Sequence, residues 1–156
     1  MIMEGKPLRR SSRVLLFGPA HELILIRRTR PGRAPYLTTP GGGVEPGETW
    51  DQAAVRECRE EVGAEVIIGP TAYIAYVSTP RRAIQRYALA KLITLDDDVR
   101  HGPEFENPAR GRYQTVRIAL DDQELDLLRP AELVPILRDF GGELAAEARG
   151  LNPTVP

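Results

Sequence analysis

Apolar and polar positions along this chain follow two rhythms. Residues 13–17 and 23–28 are short apolar runs separated by Gly18-Pro19-Ala20-His21, a pattern that predicts two strands joined as a hairpin. A loop rich in proline, glycine and arginine follows at residues 29–35. The spacing then changes, with Ala54, Val55, Cys58 and Val62 recurring as one stripe of a helix over Trp50–Val62. Thr49 and Gln52 supply a T-x-x-Q capping box at its start, and Gly63 supplies a left-handed stop. Strand-like runs at residues 65–68, 71–78 and 85–94 come next, broken by Gly69-Pro70 and Thr79-Pro80. After a long polar segment, residues 95–112, another strand is expected at 113–119. A second helix is predicted from Pro130 to Phe140, with Gly141-Gly142 dividing it from a short helical tail, and two prolines should fray residues 151–156. Strands outnumber helices, so the pattern alone supports a mixed α and β fold.

Length and composition narrow the class. The 156 residues suit one domain over 1–156, with its core at about residues 10–140. With 21 basic against 22 acidic side chains there is no bulk charge to attract nucleic acid or an anionic membrane, so a small-molecule ligand is expected. A single cysteine excludes an internal disulfide, and its place on the apolar stripe predicts a buried thiol. The opening MIMEGKPLRR lacks the apolar stretch of a signal peptide, and no apolar run approaches the ~20 residues of a membrane span. A cytoplasmic location is expected. An oligomer remains open.

The predicted helix also carries chemistry. At ~100° per residue, Glu57, Glu60 and Glu61 share one face beside the apolar stripe. Like charges at i, i+3 and i+4 repel by a few tenths of a kcal/mol per pair. A hard cation such as Mg²⁺ or Mn²⁺ takes oxygen ligands and cancels that repulsion. The plainer reading is a solvated acidic face with Arg56–Glu60 as an i,i+4 ion pair.

The stretch GGVEPGETWDQAAVRECREEVGA resembles the Nudix box, G-x5-E-x7-R-E-U-x-E-E-x-G-U with U aliphatic. Gly42, Glu48, Arg56, Glu57, Glu60, Glu61 and Gly63 all fall in register, while Cys58 and Ala64 replace larger aliphatics at the U positions. The resemblance implies an α/β/α sandwich around a mixed sheet. It also implies a hydrolase that cleaves the diphosphate linkage of a nucleotide or nucleoside-diphosphate-linked substrate with a divalent metal and water. By position, Glu57 and Glu61 become the principal Mg²⁺ or Mn²⁺ ligands. Glu60 becomes a further ligand, direct or through water, and the Gly41 carbonyl an added oxygen. Arg56 and Glu48 become orienters of the carboxylates. The general base lies either within the box or in a later loop, where Glu104 and Glu106 are candidates and His101 a weaker one.

The substrate is less legible. Arg27, Arg28, Arg30 and Arg33 before the box, and Arg81, Arg82 and Arg86 around Thr79-Pro80, have the fork geometry that binds phosphate, or else keep loops and strand edges soluble. Tyr36, Tyr73, Tyr76 and Tyr87 either stack on a base or fill the sheet. Pro80, 16 residues past the box, lies near a proline position of ADP-ribose-cleaving members. ADP-ribose or nucleotide-sugar cleavage therefore stands beside nucleoside triphosphate pyrophosphohydrolysis. A non-catalytic nucleotide sensor is the rival reading, disfavoured because all three box glutamates are retained. A diphosphate isomerase on the related fold would bring catalytic residues outside the box, where this chain has no cysteine.

Overall fold

The structure, a computed structural model, describes residues 7–96 and 111–153. Among these residues eight strands and two α-helices follow in order, with a short 3-10 helix (Gln123–Leu127) between the last two strands: β1 (Arg9–Phe17), β2 (Leu23–Thr29), β3 (Tyr36–Thr38), β4 (Gly41–Gly43), α1 (Trp50–Val62), β5 (Ala64–Val77), β6 (Ala83–Leu95), β7 (Arg112–Ile118), β8 (Leu128–Arg129) and α2 (Leu133–Arg149). The strands form one mixed sheet in the order β5-β6-β1-β2-β3-β8, with β4 pairing β1 and β7 pairing β2.

The apolar runs of β1 and β2 are unbroken because both sheet faces are covered. Alternate side chains go to opposite layers: Val14, Leu16, Ile24 and Ile26 pack with Ala54, Cys58 and Val62 of α1, whereas Leu15, Phe17, Leu23 and Leu25 pack with Leu133, Leu137, Ala145 and Ala148 of α2. The α/β/α sandwich follows directly from that division.

β1 is the pivot of the sheet. It runs parallel to β6 from Arg9↔Ala83 to Phe17↔Lys91. On its other edge it meets β2 at Phe17↔Leu23, and β4 at Ser11↔Gly43, Ser12↔Gly42 and Arg13↔Gly41. The expected hairpin is therefore closed only at its turn, where the Gly18 N–H donates to the Glu22 carbonyl at 2.8 Å. β2 instead pairs along its length with β7, from Leu23↔Ile118 to Thr29↔Arg112.

Three expectations are corrected. Residues 65–68 and 71–78 form one strand, β5, which passes Gly69-Pro70 by register shifts against β6 instead of ending there. Being the edge strand, β5 tolerates the proline's missing donor. The second helix begins at Leu133, after Pro130, and continues through Gly141-Gly142 to Arg149. A Cβ at Gly141 would fall 2.8 Å from Leu120 Cδ2, so close packing on Leu120 offsets the ~1 kcal/mol that a mid-helix glycine costs. Finally, Leu151 is tied down, its carbonyl accepting from Lys91 Nζ at 3.1 Å. Among the described residues no helix is long and apolar enough to cross a membrane.

Candidate functional site

α1 presents its glutamates to β4, and its ends are set by local chemistry. Thr49 Oγ1 accepts from the Gln52 N–H at 3.0 Å while Gln52 Oε1 accepts from the Thr49 N–H at 2.9 Å, and Gly63 closes the helix at φ 66°. Ser12 adds a tie from the sheet, its Oγ donating to the Trp50 carbonyl at 2.6 Å. The start of the helix is thereby pinned to the strand that carries β4.

Arg56 is the hub. Its Nε donates to Glu48 Oε2 at 2.7 Å and its Nη2 to Glu48 Oε1 at 3.0 Å and to the Gly43 carbonyl at 2.9 Å. Its Nη1 reaches Glu57 Oε1 at 3.0 Å and Glu60 Oε2 at 3.3 Å. One guanidinium thus joins the turn before the helix, the glycine strand and two carboxylates, a reach that only the planar fork of arginine spans. Arg56, with the Glu45 N–H adding a bond to Glu48 Oε1, holds the Glu48 carboxyl at about 2. In turn these carboxylates hold the Arg56 proton more firmly than usual.

The glycines are what let the carboxylates in. A Cβ on Gly42 would fall 2.4 Å from Glu57 Oε1. Gly41, at φ 147°, gives its N–H to Glu61 Oε1 at 2.8 Å. Burial raises the Glu57 carboxyl above its ordinary range, and the hydrogen bond from Arg56 only partly opposes this. A half-buried carboxylate of that kind gains from a nearby cation.

Among the described residues no three His, Cys, Asp or Glu side chains converge on one point in this arrangement. Glu60 is half exposed and turned toward Arg56, whereas Glu57 is 16% exposed. The donor chemistry nevertheless fits a hard divalent cation, since Glu57, Glu60 and Glu61 offer only oxygen. The cradle at Gly42, which any side chain would fill, keeps Glu57 against β4.

Glu104, Glu106 and His101 lie outside the described residues. Of the arginines expected to meet phosphate, three have side-chain partners among the described residues. Arg27 makes a bidentate pair with Glu124, at 2.7 and 2.5 Å. Arg28 lies over the rings of Tyr36 and Tyr113, 5.6 and 4.5 Å from their centroids, and donates to the Tyr113 hydroxyl. Arg86 pairs with Asp51 at 2.6 Å and lies over Trp50. Arg30 and Arg33 lie in the loop after β2, while Arg81 and Arg82 are exposed. Tyr87 and Tyr73 belong to the sheet, with ring centroids 5.9 Å apart, and Tyr76 is exposed.

Sequence reasoning overlooked Arg13, Ser11 and Thr39. Arg13 Nη1 donates to the Thr39 carbonyl at 2.9 Å, and Ser11 and Thr39 are buried with hydroxyls that have no hydrogen-bond partner among the described residues. The available signal was the polar Ser-Ser-Arg opening of an otherwise apolar strand.

Known proteins resemble this chain in sequence and in fold. A family model described as NUDIX domain matches residues 7–126. The chain is 32% identical, over 135 residues, to an RNA pyrophosphohydrolase of Wolbachia pipientis subsp. Culex pipiens (strain wPip), covering 74% of this chain and 80% of that one. Its fold is similar to a Nudix hydrolase from Nitrosomonas europaea, with a TM-score of 0.68, 18% identity and coverage of 88% and 90%. It is also similar to a C. elegans Ap4A hydrolase solved as a binary complex, with a TM-score of 0.61, 25% identity and coverage of 87% and 98%.

Proposed function

The chain belongs to the Nudix family, and we propose that it hydrolyses the diphosphate linkage of a nucleotide-type substrate, with Mg²⁺ or Mn²⁺ held by Glu57, Glu60 and Glu61. The observation that carries this reading is the Arg56 network, which gathers Glu48, Glu57, Glu60 and the Gly43 carbonyl beside the Gly41–Glu61 contact. A purely solvated acidic face has no need of glycines cut to fit its carboxylates.

A divalent cation, when bound, neutralises charge on the diphosphate and lowers the pKa of water. The rest is the work of this chain's side chains. Arg56 fixes the carboxylates of Glu57 and Glu60 so that they are presented together, and Glu48 stops the guanidinium from swinging away. Gly41 aims Glu61 through its N–H. The proton of the attacking water passes to a box glutamate or to Glu104 or Glu106, which single substitutions separate.

The test is product analysis on a panel: nucleoside triphosphates, dinucleoside polyphosphates, ADP-ribose and nucleotide sugars, with Mg²⁺ and with Mn²⁺. A 5′-triphosphorylated oligoribonucleotide joins the panel because the Wolbachia relative is named for acting on RNA. Triphosphates would give monophosphate and pyrophosphate, and ADP-ribose would give AMP and ribose phosphate. Nucleotide binding with no turnover of any member would select the sensor reading instead.

A further inference from the structure

On the face of the sheet that carries α1, one row of residues lies past the start of the helix. Tyr76, Ile84 and Arg10 are register partners across β5, β6 and β1, and the Arg10 carbonyl accepts from the Val44 N–H at 2.9 Å. Ser12, two residues further along β1, is tied to Trp50 at the first turn of α1, so the row itself is left uncovered. Tyr76 is 76% exposed and Arg10 is exposed. A depression of about 350 Å³ has Leu8, Tyr76, Arg82 and Ile84 in its lining. At Leu8 it meets a second, of about 410 Å³, lined by Arg9, Arg10, Gly43 and Glu48 among others. The groove they form ends one residue from Gly42, on which Glu57 rests.

Guanidinium groups gather at this groove without acidic partners. The Arg9 N–H donates to the Arg82 carbonyl at 3.0 Å, which brings Arg81 and Arg82 of the β5–β6 turn beside Arg9 and Arg10 of β1. Among the described residues none of these four pairs with a carboxylate, whereas Arg27, Arg56, Arg59, Arg86 and Arg138 all do. The carboxylates in the lining are turned to another cation: Glu48 is held by Arg56, and Glu45 lies 3.7 Å from the same guanidinium. Arginines along a groove with an exposed ring at its far end supply the two parts of a single-strand site, donors for backbone phosphates and a flat face for a base. The chain's net charge of −1 attracts no polyanion as a whole, so the attraction here is local.

Resting on the hydrolase reading above, we infer that this groove holds the strand that continues from the nucleotide at the carboxylates, so that the favoured substrate is a 5′-polyphosphorylated single strand. Arg9, Arg10 and Arg82 meet its backbone phosphates and Tyr76 stacks on one of its bases. From Tyr76 to Val44 the row crosses three strand spacings, about 14 Å, which a mononucleotide at the carboxylates would leave empty. A duplex is excluded from the stacking contact, because its bases already face one another.

The test uses the full chain and direct binding, so it does not depend on turnover. Fluorescence anisotropy follows short, 3′-labelled single strands of mixed sequence that carry a 5′-monophosphate and so have no diphosphate to cut. The strand should bind roughly tenfold more tightly than a nucleoside monophosphate or better, and more tightly than a duplex of the same length. Its log–log salt dependence should have a slope of roughly −2, for three phosphate contacts. Arg10→Ala and Arg82→Ala should each make that slope shallower by about 0.7. Tyr76→Ala should weaken binding about tenfold with the slope unchanged, since stacking releases no counterion, and Tyr76→Phe should bind like the wild type. RNA and DNA strands share this chemistry, and comparing them shows whether the 2′-hydroxyl adds to it. A duplex or a monophosphate bound as tightly as the strand, or wild-type affinity in all three alanine variants, would overturn the inference. So would Tyr76→Phe binding as poorly as Tyr76→Ala, because its ring still stacks. Strand binding without hydrolysis of any panel member would retire the hydrolase reading and leave the groove standing. Hydrolysis of mononucleotides by a chain that binds no strand would do the reverse.

Discussion

Arg56 and Glu48 meet in a two-toothed pair, Nε to Oε2 at 2.7 Å and Nη2 to Oε1 at 3.0 Å, across the junction of turn and helix. The same guanidinium holds Glu57 and Glu60, so the pair controls where the carboxylates stand. Arg56→Lys keeps the charge and loses the fork. Activity should fall by ~10–100-fold, with a matching loss of Mg²⁺ affinity, as is typical when a group that orients metal ligands is changed. Steady-state kinetics across a Mg²⁺ titration would show it, and wild-type behaviour of Arg56→Lys would remove the pair from the mechanism.

The box glutamates should separate from the later ones. Glu57→Gln and Glu61→Gln should each lower kcat by ~10²-fold or more, about 3 kcal/mol of transition-state stabilisation, and weaken metal binding. Both should leave the metal-free fold intact or more stable, since like charges on one helix face are relieved. Glu104→Gln or Glu106→Gln should lower kcat with metal affinity unchanged if it supplies the base, and should be silent otherwise.

The two glycines of β4 should fail differently. The three atoms nearest a Cβ on Gly42 all belong to the carboxylate end of Glu57, so Gly42→Ala should displace that group and depress activity while the protein stays folded. A Cβ on Gly41 would lie 2.4 Å from the Ser12 carbonyl oxygen and 2.6 Å from Arg13 Cα, at φ 147°. Gly41→Ala should therefore lose stability as well as activity. Thermal melts beside activity assays distinguish the two, and equal melting temperatures would contradict the packing described here.

Metal should act on stability as well as rate. Excess chelator should abolish hydrolysis, and added Mg²⁺ should raise the melting temperature with concentration, because it binds the folded chain. A melting temperature indifferent to Mg²⁺, with full activity in chelator, would count against the carboxylates as ligands.

Cys58 is fully buried, and burial, reinforced by the Glu61 and Glu57 carboxylates, pushes its thiol up. Native protein should react slowly with thiol reagents, and Cys58→Ala should cost roughly 1 kcal/mol through a small cavity. The unfolded chain releases this proton above about pH 8.5 while the folded chain keeps it. The thiol's contribution to stability is thus complete below that pH and declines as pH rises. Urea midpoints of wild type and Cys58→Ala should converge as the pH is raised, and a constant gap would show that the thiol does not sense its burial.

Local rules read α1 to its last residue because its caps, Thr49, Gln52 and Gly63, make short-range contacts. They failed where distant packing decided the outcome. Gly141-Gly142 has the look of a helix break, but Leu120, distant in sequence, accepts the bare backbone. Gly69-Pro70 has the look of a strand break, yet β6 carries β5 past it. β3 and β4 are three residues each and exist as strands because neighbouring strands bind them, β2 and β8 on either side of β3 and β1 along β4. Within the candidate site, spacing along one helix brought the glutamates onto a shared face, and the place of Arg56 among them came from the resemblance to the Nudix box. Ser11, Thr39 and Arg13 were not legible, because their meaning comes from strands brought alongside from later in the chain.

The parallel union of β1 with β6 sets a timetable for synthesis. The box leaves the ribosome well before residues 83–91, which brace β1 and hence the platform that β4 and the glutamates rest on. A nascent chain can own the whole motif and still lack the site, since long-range strand pairing must wait for its second partner to emerge.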